Sequence, residues 1–370
     1  MNKKYTKSFI LYISTLFLVL GCITEKTTKK NDVENLNLLG KVKSIKIVIY
    51  RIFDENDDGT TLEKEIQYKT FTSFNTNGNE IEKIIYNRDG SFDERKVYKY
   101  DNRGNRIELV VSDFKNDIEV KFLEKYDLND NKIESKSFNK KGELFSKQII
   151  KYNINGLKVE RKVFNKKGEN NYIELFNYDE LGNKIERKVY SLDSKGEFFL
   201  DVKYSFIYDE RGNMIESNYF NSDRDTDIQN KKKYDLKGNM IEGVSFDSDG
   251  SISRKVLYNF DKNGNRIERL EYNSDGILSE RNVYKYDIKG NEIEENVYQS
   301  DGTLFHNKKY KYDKNDNMIE FTSITPTIKD LLRGLSSWEF EYDKNKNWIK
   351  KFDYKNGIPQ STTERTIEYY

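Results

Sequence analysis

Tyr100-Asp101-Asn102-Arg103-Gly104-Asn105-Arg106-Ile107-Glu108 is one copy of a nine-residue phrase whose recurrence decides the fold. Copies open at Phe74, Tyr100, Tyr126, Tyr152, Tyr178, Tyr208, Tyr234, Phe260, Tyr286, Tyr312 and Tyr342. Eight of the ten spacings are 26 residues and two are 30 (178 to 208 and 312 to 342). A fixed period of this size marks a repeat array with one supersecondary unit per repeat. Most units have two turn signals. The first is Asx-x-x-Gly, as at Asp101–Gly104 and Asp287–Gly290. The second follows about twelve residues later, as at Asn87–Gly90 and Asn273–Gly276. Asx opens a type I turn by accepting from its own following backbone, and Gly at the fourth place takes the left-handed conformation. The eight to ten residues between turns suit strands and leave no room for long helices.

Strand chemistry agrees. The position seven after the opening aromatic is Ile or Val in all eleven copies, and five residues later an aromatic follows in most. Returning segments alternate, as in Leu278-x-Glu280-x-Asn282-x-Tyr284-x-Tyr286. An offset of five sets the Ile and the later aromatic on opposite faces unless a bulge intervenes. Residues 40–73 read as an amino-terminal cap of two longer strands, 74–341 as the repeats and 342–370 as a closing unit with an alternating last strand. The fold expected is all-β: a single-domain array of antiparallel β-hairpins, about two dozen strands forming a curved or spiralling meander.

Composition narrows the function. Lys+Arg total 64 and Asp+Glu 63, a net charge of +1, which argues against a nucleic-acid footprint. The mean hydropathy of −0.90 would fit disorder, but 27 Tyr, 22 Phe and only 2 Pro do not. At the amino terminus Lys3, Lys4 and Lys7 precede an apolar run from Phe9 to Leu20. That run is too short to span a bilayer and suits a signal peptide. It ends in Val19-Leu20-Gly21-Cys22, which resembles the lipobox of bacterial lipoproteins and implies lipidation of Cys22 after removal of residues 1–21. Cys22 is the only cysteine, so lipidation leaves no thiol for a disulfide. Residues 22–39 then read as lipidated cysteine and flexible tether. The expected location is the bacterial cell envelope, at the outer membrane or cell surface rather than the inner membrane.

The Tyr-Asp-x-x-Gly-Asn phrase resembles the YD (RHS-type) repeat. The chain is more similar still to a group of bacterial lipoproteins that open with Gly-Lys-Val-Lys-Ser, here Gly40–Ser44. They close with Asn-Trp and Glu-Arg-x-Ile-Glu-Tyr, here Asn347-Trp348 and Glu364–Tyr369. The resemblance covers nearly the whole exported chain, though the period is longer than that of the ordinary YD repeat. It implies strands wrapped as in RHS shells. The toxin domain of the large RHS proteins has no counterpart here, and the lipoprotein group carries no established activity.

No residue set points to catalysis, a cofactor or a metal. The column Asp101, Asp127, Asp179, Asp209, Asp235, Asp261, Asp287, Asp313 and Asp343 offers one carboxylate per turn, enough for capping and too few for calcium. The column Glu82, Glu108, Glu134, Glu160, Glu186, Glu216, Glu242, Glu268, Glu294 and Glu320 reads as cross-strand partners for Lys and Arg. His306, the only histidine, reads as a surface-strand residue. Aromatic supply exceeds what strand grammar requires, which nominates Tyr190, Tyr272 and Tyr298 as a binding face. The expectation is thus a monomeric, non-catalytic module that binds protein or glycan, with a passive structural component as the alternative. Two register breaks, Ser191–Phe199 and Phe321–Ser337, read as neutral drift in loop length, with a place on the binding side, where such loops often lie, as the functional alternative.

Overall fold

The structure, a computed structural model, describes residues 30–54, 62–223, 226–325 and 334–370. The signal peptide and Cys22 lie outside these residues. Two long strands open the domain, β1 (Val42–Asp54) and β2 (Leu62–Phe74). The repeats follow as β3 (Glu80–Tyr86) to β23 (Trp348–Lys355), and β24 (Ile358–Tyr369) ends the chain. Every consecutive pair is antiparallel, and β1 pairs with both β2 and β24. The expected spiral is therefore corrected: the 24 strands close into a barrel. Closure satisfies both edges at once, which a spiral leaves exposed. Its signal lay in the terminal strands, whose alternation matches each other from Val42↔Tyr369 to Arg51↔Ser361.

A bulge resolves the phase problem. In all eleven copies the register skips the residue seven after the opening aromatic: Tyr100 faces Arg106, while Lys99 faces Glu108. Ile107 is the extra residue and is 37% exposed, like Ile81, Ile185 and Ile241. The conserved-looking Ile column is thus a bulge column rather than a core. Beyond it, the Glu at place eight and the aromatic at place twelve share one face.

The two faces differ. The opening aromatics and places 9, 11, 20, 22 and 24 lie on one; places 8, 10, 12, 21, 23 and 25 lie on the other. Every repeat strand residue less than a tenth exposed belongs to the first face: Glu124, Ser137, Glu174, Phe176, Val189, Val256, Asn282, Tyr284 and Val297. Side chains crowd on the concave side of a closed sheet and splay on the convex side, so this is the inner face. The wall is one sheet thick.

Residues 30–39, read as tether, fold onto this wall. Asn31 caps α1 (Asp32–Asn35) in a reciprocal capping box with Glu34. Val33 and Leu38 join Val42, Ile45 and Phe74 in the apolar cluster of the domain. Val33 donates to the Gly78 carbonyl, and Leu39 exchanges hydrogen bonds with Asn347 from the last repeat. The segment thereby bridges the seam where β24 meets β1. Two buried apolar side chains and the capping box outweigh its polar composition.

Candidate binding surface

The antiparallel meander sorts its turns onto two rims. The first rim carries the Asx-x-x-Gly turns, the second the other turns. On the first rim Asp101 accepts from the backbone N–H of Arg103 and Asn105 at 2.9 and 2.8 Å, and Gly104 has φ +81°. The same capping recurs at Asp127, Asp209, Asp235, Asp261, Asp287, Asp313 and Asp343. Hydrogen bonds from the Asn131 and Asn239 amides hold the Asp127 and Asp235 carboxyls below the usual aspartate range. Gly212 and Gly264 have φ +80° and +89°, as the turn reading requires. Asp130, Asp316 and Lys346 stand where other copies have Gly and keep positive φ.

The opening tyrosine reaches back one repeat. The Tyr126 hydroxyl donates to the Arg106 carbonyl at 3.0 Å, and Tyr152, Tyr178, Tyr208, Tyr234, Tyr286 and Tyr312 repeat the contact. This explains Tyr at a place where apolar packing alone would accept Phe. On the outer face the Glu column forms ion pairs, such as Glu108 with Lys99 (2.7 Å) and Lys121 (2.8 Å), and Glu242 with Lys233 (2.8 Å). The inner face holds Glu174, 2% exposed, between Arg161 and Arg187 and accepting from the Tyr172 hydroxyl. Charges on both faces leave neither with the apolar band, about 25 Å tall, that a lipid-spanning barrel presents. Among the described residues no helix is long and apolar enough to cross a membrane.

Tyr190, Tyr272 and Tyr298 are all at place twelve on the outer face, half-buried. Tyr272 and Tyr298 lie two strands apart, ~10 Å, but Tyr190 is six strands from Tyr272, roughly 30 Å away. The structure therefore does not bring the three together. Their column is also covered: Arg281 stacks over Tyr298 at 5.6 Å, and Lys147 and Lys231 cover Phe164 and Phe246 in the same way. In these three copies the cation adds packing to the ring at place twelve.

Six exposed phenylalanines lie elsewhere, at the second rim. Phe92, Phe114, Phe145, Phe198, Phe199 and Phe305 are 37–64% exposed. Tyr86, Phe92 and Phe114 form a contiguous patch with ring centroids 5.6 and 5.5 Å apart. Sequence reading missed them because it followed the most regular aromatic column. The available signal was Phe two or three residues after the glycine of the second turn, with Phe114 inside its turn. Phe198 and Phe199 follow the turn that Ser191–Phe199 lengthens. The strands Met318–Ile324 and Gly334–Tyr342 also meet the second rim; residues 326–333 between them lie outside the described residues. His306 is a strand residue there, stacked on Phe305 and within 2.7 Å of the Thr325 hydroxyl. A cavity of about 140 Å³ beneath residues 36–38, beside Arg365 and Glu80, is smaller than the ~300 Å³ of ordinary ligand pockets. Burial pushes the Arg365 guanidinium down to about 10, and it stacks on Trp348.

A family model described only as "uncharacterised protein" matches residues 244–369. No curated protein matches. Among solved structures, the Photorhabdus luminescens Tc holotoxin pore is 12% identical over 81% of this chain and 20% of that one, with a TM-score of 0.36. A TcdB2–TccC3 complex is 10% identical over 88% and 25%, at 0.26. A porin-like protein from Bacteroides uniformis is 8% identical over 88% and 98%, at 0.21. The chain thus spans a fifth to a quarter of the toxin chains it is similar to.

Proposed function

We propose that the protein is a non-catalytic cell-envelope lipoprotein, anchored through Cys22, whose barrel holds a protein partner at its second rim. The observation that carries this reading is the Phe92–Phe114 patch with Phe145, Phe198, Phe199 and Phe305 at the same rim. Exposed Phe offers apolar area without a polar tip, which suits a protein interface better than hydrogen-bonded sugar recognition. The kinship with YD-repeat lipoproteins, read from the phrase and from Gly40–Ser44, points to the same compartment. A photo-crosslinking residue placed at Phe145 or Phe305 in living cells should give a discrete adduct, and Phe92→Ser with Phe114→Ser should weaken it. Both rings are half exposed, so the variants should fold. Absence of any adduct from either position would favour the passive structural component.

A further inference from the structure

The two rims use the same turn but different tips. On the second rim the tips of the turns that end in Gly are polar, as at Arg88-Asp89, Lys140-Lys141, Lys166-Lys167, Ser248-Asp249, Ser274-Asp275 and Ser300-Asp301, and its exposed apolar residues include the phenylalanines described above, of which Phe114 stands in a turn. On the first rim Leu128, Ile154, Leu181, Leu236 and Ile288 stand at the tips and are 77–105% exposed. Turn chemistry asks nothing apolar there; Asn or Lys fill the same places at Asn102, Lys262 and Lys314. Five branched apolar side chains, each at least 77% exposed and all at one end of the barrel, form an apolar surface open to solvent.

The amino-terminal segment says what covers it. Residue 30 enters at this rim: the neighbouring Asn31 side chain lies against Gly78, and Val33 and Asp32 hydrogen-bond the Gly78 carbonyl and the Glu80 N–H in the β2–β3 turn. From Cys22 to residue 30 the chain reaches at most ~29 Å. The second rim stands a further strand length away, ~25–30 Å for eight or nine residues. An anchor at Cys22 therefore lets the first rim rest directly on the bilayer, whereas the second rim reaches it only with the tether fully stretched along the wall. The apolar tips occupy turns on the arc beyond the seam, so anchor and tips support different parts of the ring.

We infer that the first rim seats on a lipid bilayer, with Leu128, Ile154, Leu181, Leu236 and Ile288 entering the headgroup–acyl boundary. This rests on the reading of Cys22 as the lipid-bearing residue. The test uses the full lipidated chain in phosphatidylethanolamine–phosphatidylglycerol vesicles doped with nitroxide lipid. Single labels of an environment-sensitive dye go on Leu236→Cys, Ile288→Cys or, at the second rim, Ser274→Cys; thioether formation occupies the Cys22 thiol. The first-rim labels should shift to the blue and be quenched, while the Ser274→Cys label stays as in water. A label at Asn263→Cys should lose its quenching when all five tips become Ser, a change that leaves the melting temperature unaltered. First-rim labels as wet as the second-rim label, on a chain that floats with the vesicles, would overturn the seating alone. A chain whose amino-terminal peptide carries no lipid by mass, and which does not float, would overturn the anchor and the seating together.

Discussion

The seam and the repeats solve the same packing problem by different means. At the seam, β1, β2, β24 and the folded-back residues 31–39 bury Val33, Leu38, Val42, Ile45 and Phe74 around one apolar cluster. The repeats have a single wall with solvent on both faces. They rely on capped turns, Tyr-to-carbonyl hydrogen bonds and Glu–Lys pairs, each local to two adjacent units. Contacts of that kind add up along the array much as in other repeat proteins. The seam instead joins residues more than 290 positions apart, as when the Tyr370 hydroxyl donates to the Phe74 carbonyl. Closure is therefore concentrated in one apolar patch, and the ring between is built of nearly interchangeable parts.

Substitutions should separate the two regions. Phe74→Ala removes a 1%-exposed ring from the seam cluster and should cost about 3–5 kcal/mol in urea unfolding. Phe246→Ala, on the half-exposed outer column, should cost under about 2 kcal/mol because less transfer and cavity energy is at stake. Equal losses would break the contrast. Inside the repeats, Glu174→Gln should be the most damaging polar change, at about 3 kcal/mol, because it leaves Arg161 and Arg187 facing each other without their carboxylate.

The outer ladder should respond to acid. Lys121, Lys151, Lys233 and Lys285 donate to Glu108, Glu160, Glu242 and Glu294 and hold those carboxyls below the usual glutamate value of 4.5. A depressed folded pKa contributes stability in full above the unfolded value and loses it as pH falls through the folded one. Urea midpoints should thus be flat from neutral pH to about 5 and fall below about 4.5. A midpoint that rises on acidification would contradict the ladder. A smaller effect belongs to the tyrosine hydroxyls. Tyr234→Phe deletes the bond to the Met214 carbonyl and should cost about 1 kcal/mol, a loss that denaturant titration resolves.

Much of this was legible. The period gave the hairpins, Asx-x-x-Gly gave the capped turns, and the Glu column gave the ladder, because each depends on residues within one repeat or its neighbour. Closure, the docking of residues 30–39 and the cover over Tyr298 were not legible in the same way. Leu38 looks like a tether residue until Phe74 and Ile45 are beside it, and nothing local to Tyr298 announces that Arg281 lies across the strand. The Phe92–Phe114 patch was hidden for a related reason: regularity drew attention to the column that packs, while the exposed rings occupy irregular places.

The smallest effect expected is a gain, and it tests whether the repeats are interchangeable. Eight of the eleven first-rim turns carry Gly at the fourth place, where the structure has positive φ, but Asp130, Asp316 and Lys346 adopt the same conformation with a side chain. A Cβ in the left-handed region costs about 1 kcal/mol, less for Asp, whose side chain can satisfy nearby backbone, than for Lys. Lys346 has no such local bonding to offset the strain, and Lys346 donates its N–H to the Asp343 carbonyl as Gly does elsewhere. Glycine also loses more chain entropy on folding, which offsets part of the relief. Lys346→Gly should therefore raise stability by roughly 0.5 kcal/mol, and Asp130→Gly by less, since Asp130 also accepts from Asn105 of the preceding repeat. Thermal unfolding of the two single variants beside the parent measures both. A loss at Lys346 would mean that the last unit, next to the seam, does not obey the rules of the other ten.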